Sequence, residues 1–435
     1  MALHRRRVLA ATGTAGAGIL GLGYWQRRRI RRFPSVLDLR EVTGSEVPRI
    51  EDDQIITSTL LDASYDRAVE RFEEIEPRLE PPYDRYSEES IDNLRARLSD
   101  RAPETVTIWS RGAPTMHYAR RQALFSYRRV RSRLVGILAH ESPDELPFEP
   151  FAERASALEE RIESVAVPYR GTSFGEAIVA GSTIESALGG ATSALENARE
   201  EDERRDRWRH LERATAAVED AESLAETRSG GDHRPEFSAA AERLVDEYER
   251  RREAAPARHE APEIDGANST FATRGIGALQ RPMRNLGGTP EIARRLFDDG
   301  DYGRAAHTHV LLLPTVPLYE AFSEVPNPVW WEEIDYEHGA DPDDLRARKR
   351  AAIDTVEPYL DRDDPLVRHL AAVPLGVVRA TDSRVERLTE DAHAVDDSEW
   401  AMQLDLALLL YESARRYAEA IDEVIDEVID VVDDL

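Results

Sequence analysis

The chain has 435 residues, 85 acidic against 57 basic side chains, a net charge of −28 and no cysteine. A body this acidic argues against nucleic acid as a partner, because phosphate binding needs a basic surface. Without cysteine, disulfide staples, thiolate chemistry and Cys-ligated metals are excluded.

The chain opens on its one stretch suited to a membrane. Val8 to Trp25 carries no charge and would form a helix of roughly 27 Å, close to the thickness of a hydrocarbon core. Gly13, Ala17 and Gly21 stand at four-residue spacing, which would let a second helix approach closely. Arg5, Arg6 and Arg7 precede the run, and Arg27, Arg28, Arg29, Arg31 and Arg32 follow it.

Arg5-Arg6-x-Val8-Leu9 ahead of a Gly/Ala-rich run resembles a twin-arginine export signal. The competing reading is a plain anchor with arginines on its flanks. No Ala-x-Ala follows the run, so the segment is expected to stay attached as an anchor, with residues 8–32 in contact with lipid. The heavier downstream flank argues the other way, since the positive-inside rule would keep the body in the cytoplasm. Export to the outer face of the cell membrane is the expectation carried forward.

Only one of the basic residues is lysine, Lys349. Net charge is +8 over residues 1–40, −15 over 41–288 and −21 over 289–435. A body rich in Asp, Glu, Ala and Arg and nearly free of Lys resembles proteins of haloarchaea. Molar salt shortens the Debye length to about 3 Å, so dense carboxylates repel little there.

Residues 34–56, with Pro34, Gly44 and Pro48, read as a linker or extended stalk. From Thr57, the residues Leu60, Leu61, Ser64, Ala68, Val69, Phe72 and Ile75 share one helical face. A short helix through Leu98 follows, then a β-like run at Thr105–Trp109 and a long helix from Thr115 to Ala139. Further helices are expected over 151–165, from Thr172 past Gly190, around Trp208 and over 235–253. Residues 255–288, rich in Pro and Gly and holding the sequon Asn268-Ser269-Thr270, separate a domain over 57–254 from one over 289–435. The second domain opens on a helical hairpin turning at Gly300-Asp301-Tyr302, and continues with helices at 342–360, 364–380 and 383–393. Pro374 is expected to kink the second of these.

The last helix runs from Ser398 to the end. Trp400, Leu404, Ala407, Tyr411, Ala414, Ala418, Ile421, Ile425, Val428, Val432 and Leu435 form an unbroken heptad seam, that of a coiled coil or bundle helix. Beyond Ala418 its outer face is acidic. Two readings stand: the whole helix packs within its domain, or Ile421, Ile425, Val428 and Val432 meet a protein partner, preferably a basic one.

Chemistry-bearing motifs are few. His307, His309 and His338 lie near Glu332, Glu333, Asp335 and Glu337, but on a helix His307 and His309 point about 200° apart and cannot easily share an ion. No cofactor motif, metal site or catalytic residue is assigned. Trp330 and Trp331, after a Pro-rich turn, suit a binding anchor. The sequence thus reads as an all-α protein, a helical bundle or irregular helical array, with two helical domains behind an N-terminal membrane anchor. The expected function is that of a membrane-tethered, extracytoplasmic binding or scaffold protein without catalysis. The alternatives are an enzyme with a site near His307 and Trp330, and a tethered interaction protein facing the cytoplasm.

Overall fold

The computed structural model describes residues 35–50, 55–79, 85–99, 116–146, 150–254, 290–318, 340–395 and 397–435. The expected membrane segment, the run at 105–109, the connection at 255–288, Trp330, Trp331 and His338 lie outside them. Among the described residues the protein is all-α. The one strand pairing joins Arg170–Gly171 to Gly231–Asp232, antiparallel. No helix among these residues is long and apolar enough to cross a membrane.

The first helix, α1 (35–44), lies where the sequence suggested an extended stalk. Leu39 and Val42 draw it onto the body, and both are fully buried. Proline and glycine bound this segment without breaking it: Pro34 precedes the helix and Gly44 ends it. Thr57 caps α2 (Ser58–Ile75), its hydroxyl accepting from the Leu60 N–H. The expected face, Leu60, Leu61, Ser64, Ala68, Phe72 and Ile75, is buried. Helix α3 (Arg85–Ser99) is tied to α2 where the Tyr65 hydroxyl donates to Leu98 O at 2.6 Å.

Next come α4 (Met116–Glu141), α5 (Phe151–Ser164), α6 (Phe174–Glu200), α7 (Arg204–Glu226) and α8 (Arg234–Ala254). Helices α2, α4 and α7 pack together around an ionic layer. Asp220, 1% exposed, accepts from Arg67 at 2.7 Å and Arg128 at 2.6 Å. Glu212 accepts from Arg71 at 3.1 Å and Arg131 at 3.0 Å, and Arg131 also pairs with Glu219. Each carboxylate has two guanidinium partners, so neither charge is left uncompensated in the interior.

Beyond residues 255–289, α9 (Pro290–Asp298) and α10 (Tyr302–Leu312) form the expected hairpin, with Gly300 at φ 85° in the turn. Then follow α11 (Pro342–Leu360), α12 (Pro365–Glu390), α13 (Asp397–Glu419) and α14 (Ile421–Asp433). Helix α12 is continuous where two helices were expected, and Pro374 lies buried inside it. The long final helix, conversely, is two: a turn at Ala420 separates α13 from α14. The seam holds through α13 and reaches Ile421, and beyond the turn Val424 joins Val428 as the buried pair. Helix α14 lies on α8, where Arg251 bridges Glu423 at 2.9 Å and Glu427 at 2.6 Å. Arg251 of its own chain thus pairs with two of the acids on this helix.

Helices from both expected domains share one buried cluster, which extends from Leu39 to Val428. The junction is α10. Its residues Gly303 and Ala305 to Leu312 are all buried, and it packs on α6, α8 and α9. A helix enclosed on every side needs apolar or internally paired residues all round, and α10 has them.

The α6–α10 crossing depends on glycine. A Cβ on Gly303 would lie 2.7 Å from Ser182 N and 2.8 Å from Gly181 C, both backbone atoms. Gly190, on the exposed side of α6, has nothing within 4 Å of such a Cβ. Gly303→Ala is therefore expected to destabilise the protein by about 1–3 kcal/mol through forced separation of the helices. Gly190→Ala should stabilise it by about 0.5–1 kcal/mol through helix propensity. Denaturant unfolding of the two variants at one fixed molar salt checks both signs.

Candidate functional site

The close crossing of α6 and α10 brings a column of polar groups into the core. Ser182 and Glu185 stand one turn apart on α6, and His307 stands one turn beyond Gly303 and Arg304 on α10. Ser182 Oγ lies 3.1 Å from His307 Nδ1. His307 Nε2 lies 3.0 Å from Nδ1 of His369 on α12. Ser182, His307 and His369 are 2%, 1% and 4% exposed. A neutral imidazole has one N–H, so a contact between two rings needs one donor and one acceptor. Either direction of donation satisfies the chain from Ser182 to His369, each with its own tautomer of both rings.

This arrangement does not make Ser182 a triad nucleophile. It sits mid-helix, nearly without exposure, and no substrate carbonyl could reach its oxygen. His309 faces away, as its helical spacing from His307 requires. Its ring lies edge-on to Tyr248 of α8, and its Nδ1 is 2.6 Å from Ala305 O. Burial pushes the His309 imidazole down to about 4. Among the described residues no group of three or more His, Asp or Glu could hold a metal ion.

Glu185, one turn along α6, is 3% exposed. Oε1 accepts from the Tyr169 hydroxyl at 2.5 Å and from Gly303 N at 3.0 Å, and Oε2 accepts from Arg304 N at 2.6 Å. A carboxylate from one helix thereby caps the N-terminus of another, where unpaired N–H groups and the helix dipole favour negative charge. Tyr169 in turn stacks on Phe237 of α8, ring centroids 4.1 Å apart. Burial outweighs the three donors and pushes the Glu185 carboxyl up to about 7.

A second buried cluster holds the chain's single lysine. Lys349 Nζ donates to Val42 O at 2.8 Å, Ser45 O at 2.9 Å and Asp382 Oδ2 at 2.8 Å. The Tyr411 hydroxyl donates to the other Asp382 oxygen at 2.6 Å. Burial pushes the Asp382 carboxyl above its ordinary range against the pull of Lys349, and it raises Tyr411 as well. The cluster joins α11, α12 and α13 to the C-terminal carbonyls of α1. An ammonium has three donors on one atom and meets three converging acceptors, whereas a planar guanidinium spreads its donors over a fork. That geometry accounts for a lysine here in a chain that otherwise uses arginine.

The residues singled out from sequence fall elsewhere. Arg5, Arg6, Val8, Leu9, Trp330 and Trp331 lie outside the described residues. Ile421 and Val428 are buried, and Ile425 and Val432 pack partly buried against the same core. His369, Ser182, Glu185, Lys349 and Asp382 were not anticipated. Signals for two of them exist: Glu185 is the only charged residue between Glu176 and Glu196, and Lys349 is the only lysine.

Lys349→Met should cost about 3–5 kcal/mol in denaturant unfolding, because it leaves the Asp382 carboxylate buried without its cation. Lys349→Arg should recover only part of that loss.

Glu185 gives a pH signature. Its folded value of about 7 lies above the ordinary 4.5, so between them the folded state holds more protons than the unfolded state. The stability it contributes is complete below the ordinary value and is lost as pH rises through about 7. Glu185→Gln removes this slope. The melting temperature of the parent relative to the variant should be highest near pH 5 and decline steadily to about pH 8.

Residues 234–430 match the family described as a domain of unknown function (DUF8264). No curated protein and no solved structure matches the chain. The matched stretch begins at the first turn of α8, ahead of residues 255–288, and α8 packs with the helices that follow them, α9, α10 and α14.

Proposed function

We propose that the protein is a membrane-tethered, all-α binding or scaffold protein, anchored by residues 8–25, with its body on the extracytoplasmic face of a halophilic cell. The observation that carries this reading is how the interior polar groups are used. Lys349, Asp382 and Tyr411 bond one another and the backbone of α1. Glu185 bonds a helix terminus, and His307 faces His369 and Ser182. Each cluster joins helices that are distant in sequence, which is the chemistry of a scaffold. His307, the centre of the enzyme alternative, is enclosed by α6 and α12. The acidic exterior and near-absence of lysine support a high-salt setting.

A second reading, with the body facing the cytoplasm, is favoured by the five arginines that follow the apolar run. Protease treatment of intact cells separates the two, since only an outward body is cut. Arg5→Lys with Arg6→Lys keeps the charge and removes the arginine pair, so the body of the double variant should become protease-resistant inside the cell. If the variant is cut as readily as the parent, residues 8–25 act as a plain anchor. If the parent is not cut, the outward reading fails.

A further inference from the structure

We infer that the face of the body formed by α1, residues 45–50 and the adjoining part of α11 lies directly on the lipid surface, clamped there through Lys349. This rests on the anchor reading above and assigns the anchored body a definite lipid-facing side.

The first argument is reach. Val36, which already packs on the core, stands four steps along the chain from Arg32, the last of the basic block. Fully extended they span at most about 14 Å. The second is that no slack follows. Leu39 and Val42 are fully buried, and Lys349 grips the carbonyls of Val42 and Ser45. Arg379 donates to Val47 O at 3.1 Å and Pro48 O at 2.8 Å. Ile50, Ile55 and Ile56 are buried in turn. A segment that the sequence presents as a stalk is therefore part of the body wall.

The third argument is the chemistry of this face. Leu37 is 45% exposed, one of the few large apolar side chains left so open among the described residues. Arg40, Arg49 and Arg350 are exposed, and Arg346 and Arg348 stand half-buried beside Lys349 on α11. Asp38, Glu41 and Glu46 share the stretch, so the face is mixed in sign, and Arg346 takes up Glu41 at 3.4 Å. In a chain of net charge −28, this mixed face follows directly in sequence on the block at Arg27–Arg32, whose cations attract anionic headgroups. The start of α12 is distant from the clamp. Along α12, Asp382 stands 18 residues from the cap Asp364, a distance of about 27 Å.

The absence of cysteine makes single-cysteine labelling clean. Fluorophores are placed at Arg350→Cys, beside the clamp, and at Asp363→Cys, whose side chain is 99% exposed at the far end. The full-length chain is reconstituted into phosphatidylglycerol vesicles carrying nitroxide headgroups. Quenching at position 350 should exceed that at 363 several-fold. A Gly/Ser insert of about ten residues after Pro34, adding about 18 Å of reach, should bring the two towards equality without touching the body. Lys349→Met should act in the same direction, but the insert decides where that variant fails to fold. If the parent floats with the vesicles and the two labels quench equally, the lipid-facing side is wrong and the anchor stands. If the parent does not float with the vesicles, the anchor reading falls and this inference falls with it.

Discussion

Gly303 lets the backbones of α6 and α10 come into contact, Gly181 beside it leaves room for the Tyr169 ring, and the polar interior follows from that approach. A side chain at Gly303 would meet Ser182 N and Gly181 C before the helices could close. Only at this spacing can Glu185 reach the first N–H groups of α10, and only then does His307 meet Ser182. The same crossing draws α12 in, because His369 completes the contact from its far side. A chain without disulfides has to fix its helices by such shape-specific contacts, since apolar burial alone is tolerant of sliding.

Charge is treated differently inside and outside. The chain carries a large excess of carboxylates, while among the described residues each strongly buried one has cationic, hydroxyl or backbone donors. Asp220 and Glu212 use arginines from two neighbouring helices, Glu185 uses a helix terminus and Asp382 uses Lys349. Removing water from a carboxylate is costly, and well-placed donors offset that cost without adding much net stability. What they add is register: a helix that slid by one turn would lose its partner and leave a charge unpaired. Arg251 does this for α14, selecting one seating of an otherwise repetitive acidic helix on α8.

Much of the helical layout was legible in the sequence, because periodicity and caps are local. The face of α2 from Leu60 to Ile75 and the hairpin at Gly300 follow from neighbouring residues alone. What stayed hidden depends on partners far along the chain. Residues 35–44 have Val36, Leu39 and Val42 at helical spacing, but over so short a stretch Pro34, Gly44 and Pro48 outweigh that pattern, and the segment is held by Lys349, some 300 residues on. The heptad seam was read as unbroken because its spacing survives the turn at Ala420, while the helix itself does not. The histidines show the same limit. Their angular separation on α10 is a property of the helix and could be derived, but the identity of His369 as a partner is a property of the packing.

The clasp on α1 also sets a timetable. Lys349 follows Val42 by 307 residues, so at synthesis rates of about 5–20 residues per second the ribosome works for about 15–60 s between making the first helix and making its latch. Closing so distant a contact is slow compared with local helix formation. During that interval α1 has emerged and Leu39 and Val42 have no core to enter. The start of the chain is thus secured only after some 300 further residues have been made.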